Sequence, residues 1–127
     1  MDVLIIERDQ LVRSIIADTL ADEGIQAATV ASDEEALTLP LDHVPAVVIT
    51  NINRGHNEDL TGLAVVAAMR RKWPALCAVY LAALWPVHLR RGMLAAGERF
   101  LTKPACLAQM TRTVRELLAS SLRRQLQ

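Results

Sequence analysis

The sequence predicts an α/β fold, a doubly wound five-stranded parallel sheet with helices covering both faces. Two observations predict it. Short apolar runs alternate with amphipathic stretches five times along the chain, which requires right-handed crossovers and helices on both sides of a sheet. The run Val3-Leu-Ile-Ile6 is also continuous rather than alternating, as in a strand buried on both faces.

Each element has a local reason. After the first strand, Asp9 can cap a helix on which Val12, Ile15, Ile16, Thr19 and Leu20 recur at helical spacing, and Gly24 ends it. Residues 25–30 read as a weaker strand. Ser32 and Glu35 form a capping-box pattern at the next helix, which Pro40 stops. Residues 45–50 are the third strand, followed by a polar loop over 51–59. Leu63, Val66 and Ala67 trace the apolar stripe of the next helix, widened by Val65 and Met69. Arg70, Arg71 and Lys72 suit the negative end of that helix, and Trp73-Pro74 breaks it. Residues 76–81 are the fourth strand, 86–96 a fourth helix and 98–102 a fifth strand. Leu107, Met110, Val114, Leu117 and Ser121 trace a final helix, flanked by Leu118, Leu122 and Leu126, with Arg123 and Arg124 at its end.

Composition narrows the class. With 52% apolar residues and only 3% aromatic, the core must be built from Ala, Leu, Val and Ile. The run over 75–84 is far short of the roughly 20 residues of a membrane span, and acidic Asp2 stands where a secretory signal would carry positive charge. Two cysteines, Cys77 and Cys106, make neither a disulfide framework nor a metal motif. A soluble cytoplasmic protein of one domain, residues 1–127, is expected, with no membrane association. Net charge is zero but segregated: residues 1–63 hold twelve acids against Arg8, Arg13 and Arg54, and the remainder holds eleven Lys/Arg against Glu98 and Glu116. Such asymmetry marks either a partner surface or merely solvated helix faces that differ. Nucleic-acid binding is not expected, because no basic, aromatic-interleaved stripe or helix-turn-helix pattern is present.

In open parallel sheets ligands bind beyond the carboxyl ends of the strands, which here carry Glu7/Arg8, Asn51, Ala82 and Lys103. No Gly-x-Gly-x-x-Gly follows the first strand, which argues against a dinucleotide site. The segments Val3-Leu-Ile-Ile-Glu-Arg-Asp-Gln-Leu-Val-Arg13, Pro45-Ala-Val-Val-Ile-Thr-Asn51 and Glu98-Arg-Phe-Leu-Thr-Lys-Pro104 resemble the receiver domains of bacterial two-component response regulators, over essentially the whole chain. The resemblance implies a flavodoxin-like, three-layer α/β/α fold with strand order 2-1-3-4-5. It also implies two acids holding Mg²⁺ after the first strand, a phosphoacceptor aspartate ending the third, a Ser/Thr ending the fourth and a Lys-Pro after the fifth.

Three of those five side chains are replaced. The acceptor must be a carboxylate, because the product is an acyl phosphate. Asn51 stands there, a neutral amide that also suits a turn, and no acid lies between Asp42 and Glu58. Glu7 matches the first metal acid, but Arg8 takes the place of the second and cannot shed its charge. A like charge about 4 Å from a cation costs roughly 4 kcal/mol at an effective dielectric near 20. An inward Arg8, paired with Glu7 in the cation's place, is the favoured arrangement; an outward one would leave Mg²⁺ merely weakened. Ala82 has no hydroxyl to report phosphate. Lys103 and Pro104 match, with a cis peptide implied between them. Phe100 aligns with the aromatic switch residue, or is a plain core Phe. Asn53 fits the position whose carbonyl serves the metal, and His56 reads as solvated.

The expected protein is therefore a degenerate pseudo-receiver without catalytic residues, cofactor or bound metal, Glu7 being vestigial. It signals through a histidine kinase or downstream effector by protein–protein binding. The family's interaction surface, formed by the fourth helix, fifth strand and fifth helix, carries His88, Arg90, Arg91, Arg99, Arg112 and Arg115. Trp85, Leu122 and Leu126 either add apolar contacts for a homodimer or close the core. The alternatives are a phosphorylation-competent receiver and, further off, a nucleic-acid-binding regulator. Asn51→Asp alone is expected to restore little, because Arg8 would pair with the new carboxylate.

Overall fold

Val3–Ile6 forms strand β1, and all four of its side chains are buried, because helices cover both faces of the sheet. The computed structural model describes residues 2–40, 42–52, 61–82, 97–102 and 106–125. Along the chain follow helix α1 (Gln10–Asp22), β2 (Ala27–Val30), α2 (Asp33–Leu37), β3 (Val47–Asn51), α3 (Thr61–Lys72), β4 (Cys77–Ala82), β5 (Glu98–Thr102) and α4 (Leu107–Gln125). The sheet is parallel throughout with order β2-β1-β3-β4-β5, as the resemblance implies. The helix expected over 86–96 lies outside the described residues. Among the described residues no helix is long and apolar enough to cross a membrane.

The strands' alternate side chains divide the core into two layers. Leu4, Ile6, Val48, Tyr80 and Phe100 pack with Val65, Val66 and Met69 of α3 on one face. Val3, Ile5, Ile49, Val79 and Leu101 pack with Ile16 and Leu20 of α1 and Met110, Val114 and Leu117 of α4 on the other. The local signals operate as expected. Asp9 accepts from the backbone N–H groups of Leu11 and Val12, Ser32 Oγ from Glu35 N, and Gly24 turns the chain at φ +77°. Glu35 reaches back to Ala31 N rather than to the cap residue itself.

Two helical faces differ from expectation. Helical spacing assigns Val12 and Ile15 to the inner stripe of α1, yet they are exposed, because the buried face is centred on Ile16 and Leu20. On α3 the stripe is centred on Val65, Val66 and Met69, leaving Ala67 exposed. In both helices the inward direction falls one position away from part of the predicted stripe, since each residue turns the wheel by about 100°. Leu122 is also exposed, so it does not close the core, while Leu126 lies outside the described residues.

A long-range ion pair ties α3 to β5. Arg70 pairs with Glu98 and donates through Nε to Leu76 O at 3.0 Å. The Glu98 side chain is only 8% exposed. Burial pushes its carboxyl pKa up and the Arg70 charge draws it back; burial and the nearby Glu98 likewise raise the Tyr80 hydroxyl. Arg70→Leu strands this carboxylate and is expected to cost about 3–5 kcal/mol near neutral pH. Without Arg70 the folded pKa of Glu98 rises further, so the lost stability is recovered as pH falls through that value and Glu98 takes up its proton. Urea unfolding of the variant along a descending pH series checks this; a stability that falls in parallel with wild type contradicts it.

Candidate functional site

The strand order reverses between β1 and β3, so the crevice beyond their carboxyl ends is the sheet's natural ligand site. Register brings the predicted residues to it. Ile6 pairs with Thr50, which sets Glu7 level with Asn51; Asn51 pairs with Leu81, and Ala82 follows, paired with Thr102. Glu7, Asn51 and Ala82 therefore share one edge of the sheet. Asn53, Lys103 and Pro104 lie outside the described residues, as do His56, Trp85, His88, Arg90 and Arg91.

Glu7 is 9% exposed, and both of its carboxylate oxygens are engaged. Oε2 accepts from Asn51 Nδ2 at 2.6 Å, and Oε1 from the backbone N–H of Asp9 at 3.2 Å. Chemistry fixes the orientation of the amide, since a carboxylate can only accept and Nδ2 is the only donor on the Asn51 side chain. A hydrogen bond to an ionised group contributes about 1.5–3 kcal/mol. Asn51 Oδ1 is buried and has no hydrogen-bond partner among the described residues.

Arg8 is not the residue paired with Glu7. It is exposed, beside Ala31, Ser32 and Glu34 at the end of β2, and forms no ion pair with Glu7. The expected inward arrangement, with Arg8 paired to Glu7, is thus corrected: the amide of Asn51 already occupies the carboxylate, and Arg8 is exposed to solvent. The same correction removes the ground for expecting Arg8 to neutralise an aspartate at position 51.

Ala82 is buried at 2% exposure and brings no polar atom to the edge. Phe100 is buried and stacks on Tyr80 with ring centroids 5.3 Å apart, a core placement. Two contributors were not foreseen. Arg13 Nη1 donates to Glu7 O at 2.9 Å and Arg8 O at 3.3 Å, pinning the turn after β1; its place one turn after the Asp9 cap was the available signal. Gly62 N donates to Ile52 O at 3.0 Å, and a Cβ on Gly62 would lie 2.1 Å from Asn51 O. Only glycine lets α3 start this close to the end of β3.

Comparison with known proteins agrees with this geometry. The response regulator receiver domain family matches residues 3–115. Among solved structures, a response regulator receiver protein from Sinorhizobium medicae WSM419 is 22% identical, with a TM-score of 0.78 over 95% of this chain and 96% of that one. A CheY-like receiver domain protein from Methanospirillum hungatei JF-1 is 15% identical, with a TM-score of 0.80 over 97% of each chain. NtrX from Brucella abortus, in complex with ADP, is 24% identical, with a TM-score of 0.79 over 98% of this chain and 28% of that one. No curated protein matches the sequence. With a family match over most of its length and a five-stranded sheet in the same order, the chain belongs to the response regulator receiver domain family.

Proposed function

We propose that this receiver domain works in two-component signalling without being phosphorylated, and that it acts by binding a protein partner. Receiver domains in these systems interact with histidine kinases and effectors. The observation that carries the reading is the 2.6 Å hydrogen bond from the Asn51 amide to Glu7. An amide nitrogen, its lone pair delocalised into the carbonyl, is a poor nucleophile towards phosphorus, and no carboxylate stands in its place. Ala82, at the end of β4, has no hydroxyl with which to sense a phosphoryl group.

The donor set also fits Mg²⁺ poorly. This ion demands oxygen ligands in near-octahedral array and is usually held by one or two carboxylates. Among the described residues Glu7 is the one carboxylate hydrogen-bonded to Asn51, and one of its oxygens already takes the Asn51 N–H. Asp9, the nearest other acid, is used as the α1 cap. Binding Mg²⁺ would first break the amide contact and then supply only one charge.

Incubation with acetyl phosphate and Mg²⁺ followed by intact-mass measurement is expected to show no gain of a phosphoryl group. A stoichiometric gain, lost on changing one aspartate, supports the phosphorylation-competent alternative instead. Asn51→Asp sets two carboxylates in contact at the crevice. Like charges about 4 Å apart repel by roughly 4 kcal/mol at an effective dielectric near 20. The variant is expected to be less stable than wild type near neutral pH, to regain stability as pH falls and one carboxyl takes a proton, and to be stabilised by Mg²⁺ where wild type is not. Thermal unfolding with and without Mg²⁺ reads all three; a Mg²⁺ response equal in both proteins contradicts the role given to Asn51.

A further inference from the structure

We propose that the outer surface of the α1/α4 layer is a two-fold dimerisation face for a second copy of this chain. Among the described residues six large apolar side chains are exposed, and four stand in the amino-terminal halves of these two helices. They are Leu11 (70%), Ile15 (44%) and Val12 (40%) of α1, and Leu107 (36%) of α4. Further along, α1 presents exposed Asp18 and Asp22, while α4 presents exposed Arg112 and Arg115. The layer thus has an apolar end, and beyond it an acidic side and a basic side.

The relative height of the two helices follows from contacts within the chain. Both helices pack on the same face of a parallel sheet and so run in the same direction. Arg115 pairs with Glu23, and one cavity is lined by Thr19, Glu23, Ala108, Thr111, Arg112 and Arg115. Asp22 is therefore level with the Arg112–Arg115 turn, and Ile15, about two turns earlier, is level with Leu107.

A two-fold axis parallel to the helices and above the groove between them preserves height while exchanging α1 for α4. Each α1 then lies along the partner's α4. Ile15 meets Leu107, and Asp18 and Asp22 meet Arg112, with every contact made twice. The other two-fold arrangement across this face stacks α1 on α1 in reverse, setting Leu11 and Ile15 against Asp22 and Asp18. Self-complementarity of both charge and apolar area under one symmetry operation is what identifies a second copy as the occupant. This inference goes beyond the functional reading above and holds whether or not position 51 accepts phosphate.

Sedimentation equilibrium of the full chain over a concentration series up to about 1 mM is expected to show a monomer–dimer equilibrium. Ile15→Asp, and separately Arg112→Asp, should weaken association at least about tenfold, with circular dichroism and the urea midpoint unchanged because both side chains are exposed. The Asp18→Arg/Asp22→Arg variant should also be monomeric alone. Mixed with the Arg112→Asp variant it should form a heterodimer, because each α1 again faces an oppositely charged α4. A monomer at every concentration overturns the proposal. So does a dimer that survives Ile15→Asp, or two charge variants that fail to associate on mixing.

Discussion

Glu7 sits almost wholly out of water at the carboxyl end of β1, and a carboxylate there must be given donors or a cation. It receives two donors from the chain itself, the Asn51 side-chain amide and the Asp9 backbone N–H. That local requirement organises the rest of the crevice. It turns the amide nitrogen of Asn51 towards Glu7, and it leaves Arg8 free to face solvent. The chain after β1 is held in this geometry from outside as well, by Arg13 on the carbonyls of Glu7 and Arg8.

The scaffold beneath needs none of this chemistry. Two apolar layers built from alternate strand residues hold the five strands in order, and the crevice arises wherever the order reverses. A neutral amide at the end of β3 is therefore compatible with the fold, provided α3 can begin against it. Gly62 meets that condition. The division between scaffold and edge explains how chemical side chains can be exchanged while the family's architecture persists. Away from that edge, the described residues of α1 and α4 expose both apolar and charged side chains.

Most of the architecture was legible in the sequence because burial on both faces writes continuous apolar strands such as Val3–Ile6, and because Asp9, Ser32 and Gly24 mark helix ends by local hydrogen bonding. The placement of Glu7 and Asn51 on one edge was legible for the same reason: each directly ends an apolar run. What was not legible depends on direction or on distant partners. Whether Arg8 turns inward depends on which donor holds Glu7 in the folded chain, and that donor is 44 residues away. Val12 and Ile15 fall on an apolar helical stripe that periodicity alone assigns to the core, whereas the packed face is centred on Ile16 and Leu20 against the strands and α4. The Arg70–Glu98 pair and the approach of Gly62 to Asn51 join separate elements, so no local pattern announces them.

The central claim, that the Asn51 amide satisfies Glu7 in place of a cation, is tested most directly by NMR of the Asn51 side-chain amide during titration with Mg²⁺ and acetyl phosphate. The claim predicts a single Asn51 amide pair, displaced from the position of a solvated asparagine by its contact with the carboxylate and unmoved by either addition. A saturable shift of those resonances on adding Mg²⁺ would show that the ion displaces the amide, and would contradict it.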